Sequence, residues 1–221
     1  RCGSGSGRQG GERRLSAFRS LSAPCRPEPE PECPMRLFVA VTPDERFREA
    51  LSAAVDPWRE RLALRWTPPG QWHVTLQFLG EWPESRLENL QRALAAVAGD
   101  GPFAVRPAGP GVFPTSGRPR VLFVHLDGGE NLPGLAAAVR AAVGRVWPDG
   151  PQDDRPFRAH LTLARVRDPQ AADGRDLLSR IDLSGLPPFV VEGFSLVASA
   201  LGPGGARHRE LGFRRLRKKG E

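Results

Sequence analysis

Two copies of one short pattern stand far apart in this chain: His73-Val74-Thr75-Leu76 and His160-Leu161-Thr162-Leu163. An imidazole titrates near neutral pH, so one histidine can accept a proton while a second gives one. A threonine hydroxyl can donate to a non-bridging phosphate oxygen as charge builds there. Together the four groups suit phosphodiester cleavage, in which a base activates an oxygen nucleophile and an acid protonates the leaving oxygen. The residue types do not say which histidine is the base, because an acid and a base of the same kind exchange roles when the reaction runs backwards. The scheme calls for no metal, and neither histidine has a carboxylate at ligand spacing, as an H-E-x-x-H helix would supply. A single His-x-Thr is more often a structural histidine with a local hydrogen bond; the duplication carries the catalytic reading. His125 and His208 lack a threonine two residues on and read as structural or surface histidines.

Strands must position these groups. Trp72–Leu79 and Phe157–Val166 are short apolar runs rich in β-branched and aromatic residues, and side chains of a strand alternate faces. His73 then shares a face with Thr75, and His160 with Thr162, while Val74, Leu76, Leu161 and Leu163 point into a core. Two such strands facing across a cleft would bring two imidazoles and two hydroxyls together. Around them the pattern predicts strands at Arg36–Val41, Leu62–Trp66, Phe103–Arg106, Arg120–Leu126, Phe189–Ser199 and His208–Leu216. Helices are predicted from Thr42, as N-cap with Glu45 three residues on, to about Arg61 with Pro57 near its end. Further helices are expected at Glu84–Ala98 and Leu132–Val146, and in part of Asp168–Arg180. Pro107–Pro119 reads as a Pro/Gly loop. Strand–helix order recurs around each motif, as in an approximate internal duplication, though an ordinary α+β domain would read the same way. Residues 1–34, Gly/Ser-rich and then a Pro/Glu repeat, read as a disordered extension, with Met35 as the start of a single domain over 35–221.

Composition narrows the function. The 221 residues carry a formal net charge of +7, which favours an acidic or polyanionic partner. Nearly all of the basic groups are arginine, whose fork suits phosphate, although a GC-rich genome produces the same bias. The only lysines are Lys218 and Lys219, so Schiff-base or lysyl-nucleotide chemistry has no candidate in the body of the chain. The three cysteines, Cys2, Cys25 and Cys33, all precede Met35. The body therefore has no disulfide, thiol nucleophile or cysteine zinc site, which suits a cytoplasmic location. No apolar run reaches the length of a membrane span.

The motifs, with Met35-Arg36-Leu37-Phe38-Val39-Ala40-Val41, the run on to Gly80-Glu81, Arg118–Phe123, Phe157–Arg165 and Ser199–Gly205, resemble the 2H phosphoesterase superfamily. Within it, the likeness is to the RNA 2′,3′-cyclic phosphodiesterases once called 2′-5′ RNA ligases. It covers Met35 to about Leu216. The resemblance implies a bilobal, pseudo-symmetric α+β fold with two mainly antiparallel sheets facing a cleft and helices outside. It also implies a catalytic pair of His73, donating to the leaving 3′-oxygen, and His160, activating water. Thr75, Thr162 and Arg165 then fall on the substrate's phosphate. Strict alternation sets Arg165 on the face away from His160, so it reaches the cleft only at a strand end or bulge; otherwise it is a solvated arginine. Two positions depart from the family: Ala159 stands where proline often precedes the second histidine, and His208 where the closing strand usually carries tyrosine.

The implied substrate is an RNA end with a 2′,3′-cyclic phosphate, opened to a 2′-phosphomonoester by a monomer with no cofactor and no protein or membrane partner. Reverse 2′-5′ joining is implied as well. Phe113 is the candidate to stack on a base, against the reading of a core ring pinning its loop. Two other readings stand beside this one. One is a different 2H activity, on ADP-ribose 1″,2″-cyclic phosphate or on RNA 3′ ends. The other is an RNA-binding module without catalysis.

Overall fold

The computed structural model describes residues 34–99, 101–150, 155–166, 181–202 and 205–217. The expected extension (apart from Pro34), the partial helix over Asp168–Arg180 and the turn residues Pro203 and Gly204 lie outside the described residues.

Among the described residues the fold is α+β, with nine strands and three α-helices. The strands are β1 Met35–Val41, β2 Leu64–Trp66, β3 Val74–Trp82, β4 Phe103–Phe113, β5 Val121–Asp127, β6 His160–Val166, β7 Phe189–Val191, β8 Gly193–Gly202 and β9 Gly205–Arg215. The helices are α1 Glu45–Arg59, α2 Leu87–Ala95 and α3 Asn131–Val146. The strands run in the order β7-β4-β5-β6-β3-β1-β8-β9, with β2 also on β6, and every pairing is antiparallel. One half holds β3, β1, β8 and β9; the other holds β7, β4, β5, β6 and β2. The halves join at one residue pair, Val74 opposite Leu161. The two expected sheets are thus lobes of one path of strands, and the motif strands lie side by side at its centre.

One face of this path carries the core. Val39, Val41, Val74, Leu122, Val124, Leu161 and Leu163 are fully buried there. The helices pack outside it: α1 buries Phe47, Leu51 and Val55, and Phe47 meets Phe189 of β7 with ring centroids 4.9 Å apart. Helices α2 and α3 pack on each other, and α3 on β3.

Several boundaries differ from the sequence reading, each for a local reason. The N-cap of α1 is Asp44, whose Oδ1 accepts from Phe47 N–H at 2.9 Å; a carboxylate both caps and complements the helix dipole better than Thr42 two residues earlier. Pro57 lies in the last turn, and the helix stops at Arg59, short of Arg61. The expected Phe103–Arg106 strand runs on to Phe113 through Pro107, Gly109 and Pro110. Strand β7 pairs only with Phe103–Val105, so the prolines beyond sit on an open edge, where a missing N–H costs no ladder bond. A register shift between Pro107 and Pro110 absorbs the irregularity. The expected Phe189–Ser199 strand is two strands, because the chain leaves β4 at Val191 and joins β1 as β8 from Gly193.

The join between the halves rests on the packing under Val74 and Leu161, both 0 % exposed. Leu161→Ala is expected to lose about 2–5 kcal/mol of stability in urea unfolding; a loss below about 1 kcal/mol would contradict this role.

Candidate active site

The site is built by that single pairing. In an antiparallel ladder with Val74 opposite Leu161, the same register carried one residue each way sets His73 opposite Thr162 and Thr75 opposite His160. Val74 and Leu161 point into the core, so the two histidines and two threonines leave the opposite face, all partly exposed. The sequence reading placed the strands across a cleft from each other; they are neighbours, and the four groups project together from one face. His160 opens β6, and His73 stands one residue before β3.

Both imidazoles are oriented the same way. Nδ1 of His73 lies 2.7 Å from the carbonyl oxygen of Gln71, and Nδ1 of His160 lies 2.7 Å from that of Arg158. A carbonyl only accepts, so each Nδ1 carries hydrogen and donates, and each Nε2 is left for chemistry. Burial lowers the His73 pKa from its ordinary 6.5 to about 4, opposed by the bond to Gln71 and assisted by the charges of His208 and His160. Burial also lowers His160, opposed by the bond to Arg158 and assisted by the charges of His125 and Arg155. Both are neutral at pH 7 without a ligand, and an anion placed between them raises both.

The two remaining histidines lie close to this pair. His208 of β9 lies 5.1 Å from His73, ring centroid to centroid, and Phe38 lies 4.8 Å from His73 and 5.0 Å from His208. Burial lowers the His208 pKa as well. His125 of β5 is directly opposite His160. The sequence reading takes both as structural or surface histidines, and the structure adds that all four histidines of the chain lie close together on this face. The signal that they lacked was a motif, since the proximity arises from pairing of strands distant in sequence.

Phe113 closes the other side. Its ring stacks on Phe123 at 4.2 Å and meets His160 edge-on at 5.2 Å. It ends a strand rather than sitting in a free loop. Gly111 allows the close packing, because a Cβ there would lie 2.6 Å from Nε2 of His125 and 2.5 Å from the Phe123 ring.

Arg165 is brought to the site face by a bulge. Strand β5 pairs Phe123 with Thr162 and Leu122 with Ala164, leaving Leu163 as an extra residue. Leu163 and Ala164 are consequently both buried, and the alternation resets so that Arg165 is exposed on the face of His160 and Thr162. Strand β3 repeats the device: β1 pairs Ala40 with Thr75 and Val39 with Gln77, Leu76 and Gln77 are both buried, and Phe78 is exposed. Phe78 is thus the counterpart of Arg165, 49 % exposed and 6.2 Å from Phe38. Among the described residues, no group of three or more His, Cys, Asp or Glu side chains converges as metal ligands would, and no helix is long and apolar enough to cross a membrane.

Paired His-x-Thr strands that present two Nε2 atoms and two hydroxyls from one face define a 2H phosphoesterase. Residues 47–202 match the model of the 2′-5′ RNA ligase superfamily, and the chain belongs to that family. It is 37 % identical over 183 residues to an RNA 2′,3′-cyclic phosphodiesterase of Thermus thermophilus, covering 77 % of this chain and 85 % of that protein. An RNA 2′,3′-cyclic phosphodiesterase of Archaeoglobus fulgidus is 31 % identical over 179 residues, covering 80 % of this chain and 98 % of its own. Among solved structures, TT0787 of Thermus thermophilus superposes with a TM-score of 0.71 at 35 % identity, over 84 % of this chain and all (100 %) of that one. E. coli LigT in its apo form gives 0.64 at 25 % identity, over 84 % of this chain and 99 % of LigT.

The depressed His73 sets the sign of a pH effect. The unfolded chain binds the proton near pH 6.5 and the folded chain only near 4. Stability is therefore fully present above about 6.5 and falls as pH drops toward 4. Chemical unfolding across this range is expected to show that fall, and His73→Gln to remove part of the slope. An unchanged slope in the variant would contradict the burial of a neutral His73.

Proposed function

We propose that this protein hydrolyses RNA 2′,3′-cyclic phosphate ends to 2′-phosphomonoesters by acid/base catalysis between His73 and His160. The observation that carries the reading is the matched pair of imidazoles, each fixed through Nδ1 to a carbonyl two residues earlier, each with Nε2 free beside the threonine of the neighbouring motif.

The phosphorus sits over the join between β3 and β6. Nε2 of His160 takes a proton from water as the water oxygen bonds to phosphorus. The bond from phosphorus to the ribose 3′-oxygen breaks, and Nε2 of His73 gives that oxygen its proton. The 2′-ester bond stays, so the product is a 2′-phosphate. The negative phosphate raises both pKa values from their depressed state, which lets His73 hold the proton that it must give. Thr75 and Thr162 donate to the non-bridging oxygens as charge accumulates there. Arg165 offers a guanidinium to the substrate's phosphate groups from the same face, and the Phe113 ring beside His160 offers a stacking surface to the base. The requirement for a ribose 2′-oxygen restricts the substrate to RNA ends.

No step of this scheme uses a metal ion, which makes the reading testable with chelator present. Wild type in EDTA is expected to convert an RNA ending in 2′,3′-cyclic phosphate to the 2′-phosphate, with the position read by phosphorus NMR. His73→Ala and His160→Ala are each expected to lose at least about 10²-fold in kcat/KM. Activity that needs added metal, or a variant retaining wild-type rate, would overturn the scheme.

A further inference from the structure

Strand β2 contributes a group that none of the motifs contains. Its three residues pair with β6 as Leu64 with Val166, Arg65 with Arg165, and Trp66 with Ala164. Ala164 is fully buried, and Trp66 packs against the same core. Arg65 and Arg165, directly opposite each other, therefore share the other face, the one that His160 and Thr162 occupy. Both are exposed. Neither makes a hydrogen bond or ion pair among the described residues. Like charges directly opposite in a ladder destabilise a sheet, and an anion held between the two forks removes that repulsion.

Arg65 also reaches across the site face. Its guanidinium lies against the first residue of β9, so that a Cβ at Gly205 would collide with Nη2. Gly205 has φ 113°, a conformation open to glycine, and its bare backbone leaves the guanidinium room. The arginine pair lies roughly 7–10 Å beyond Thr162 along β6. The pair thus stands further along β6 than the join, on the site face but beyond Thr162.

We propose that Arg65, together with Arg165, forms a second phosphate subsite that takes the phosphodiester on the 5′ side of the terminal nucleotide. The substrate class is then an RNA chain with at least one internal charged linkage, in preference to a cyclic mononucleotide. The inference rests on the function proposed above and adds the requirement for a second phosphate.

The test compares three substrates: a cytidine 2′,3′-cyclic phosphate, a dicytidine ending in the same cyclic phosphate, and that dinucleotide with an uncharged methylphosphonate as its internal linkage. Wild type is expected to favour the charged dinucleotide over both others by at least about tenfold in kcat/KM. Arg65→Gln is expected to lower that ratio about tenfold. It is also expected to reduce the slope of log kcat/KM against log salt by about 0.7, the value for one contact to a single strand. A wild-type ratio near one between the charged and uncharged linkages overturns the subsite, with no variant needed. An equal loss on all three substrates in Arg65→Gln overturns it also, since Arg65 would then act at the reacting phosphate. If wild type opens none of the three, the proposed function fails, and the subsite with it. If it opens all three with no preference, only the subsite fails.

Discussion

The site depends on one backbone pairing. Val74 and Leu161 meet where the two halves of the strand path join, and both are fully buried. The placement of the two histidines and two threonines is set by that pair's register and by the alternation of side chains on either side of it. The core holds the two apolar residues, so the histidines and threonines must leave the other face. Antiparallel pairing then gives each histidine the other strand's threonine as its neighbour. The arrangement has an approximate two-fold axis through the join, and it extends outward: each motif strand carries a bulge at its fourth motif residue, seen in its pairing with β1 or β5.

The electrostatics follow from the same placement. Burial removes water from the imidazoles and disfavours their charge, while the Nδ1–H bonds fix the rings without supplying a negative partner. His208 stands beside His73, and His125 stands opposite His160. Each catalytic candidate thus faces a neighbour that adds to its reluctance to charge. A site of four imidazoles and unpaired guanidiniums has its electrostatic complement in an anionic ligand.

Much of this was legible in the sequence because period-two alternation is local. The duplicated motif, the shared face of each His and Thr, and the strand and helix order could all be read from residue types and spacing. The remainder depended on pairings between distant segments. Nothing local to His208 or Arg65 indicates a site; β9 and β2 bring them there. Strict alternation sends Arg165 to the wrong face, and only a bulge of one residue corrects it. The prolines of β4 mask a strand whose outer edge is open, because a proline is excluded from a ladder only where its N–H would be needed. Likewise, two motif strands side by side and two facing each other have the same sequence signature, and the single residue pair at the join separates them.

The proposed mechanism requires both imidazoles to present Nε2 to one phosphate. Long-range nitrogen-15 correlation spectra of the imidazole rings test it most directly, recorded at pH 7 during titration with a 2′-nucleotide. His73 and His160 are expected to begin as Nδ1–H tautomers and both to respond at Nε2, with the two responses following one saturation curve. An Nε2–H tautomer in the free protein, or a response confined to one histidine at saturation, would contradict it.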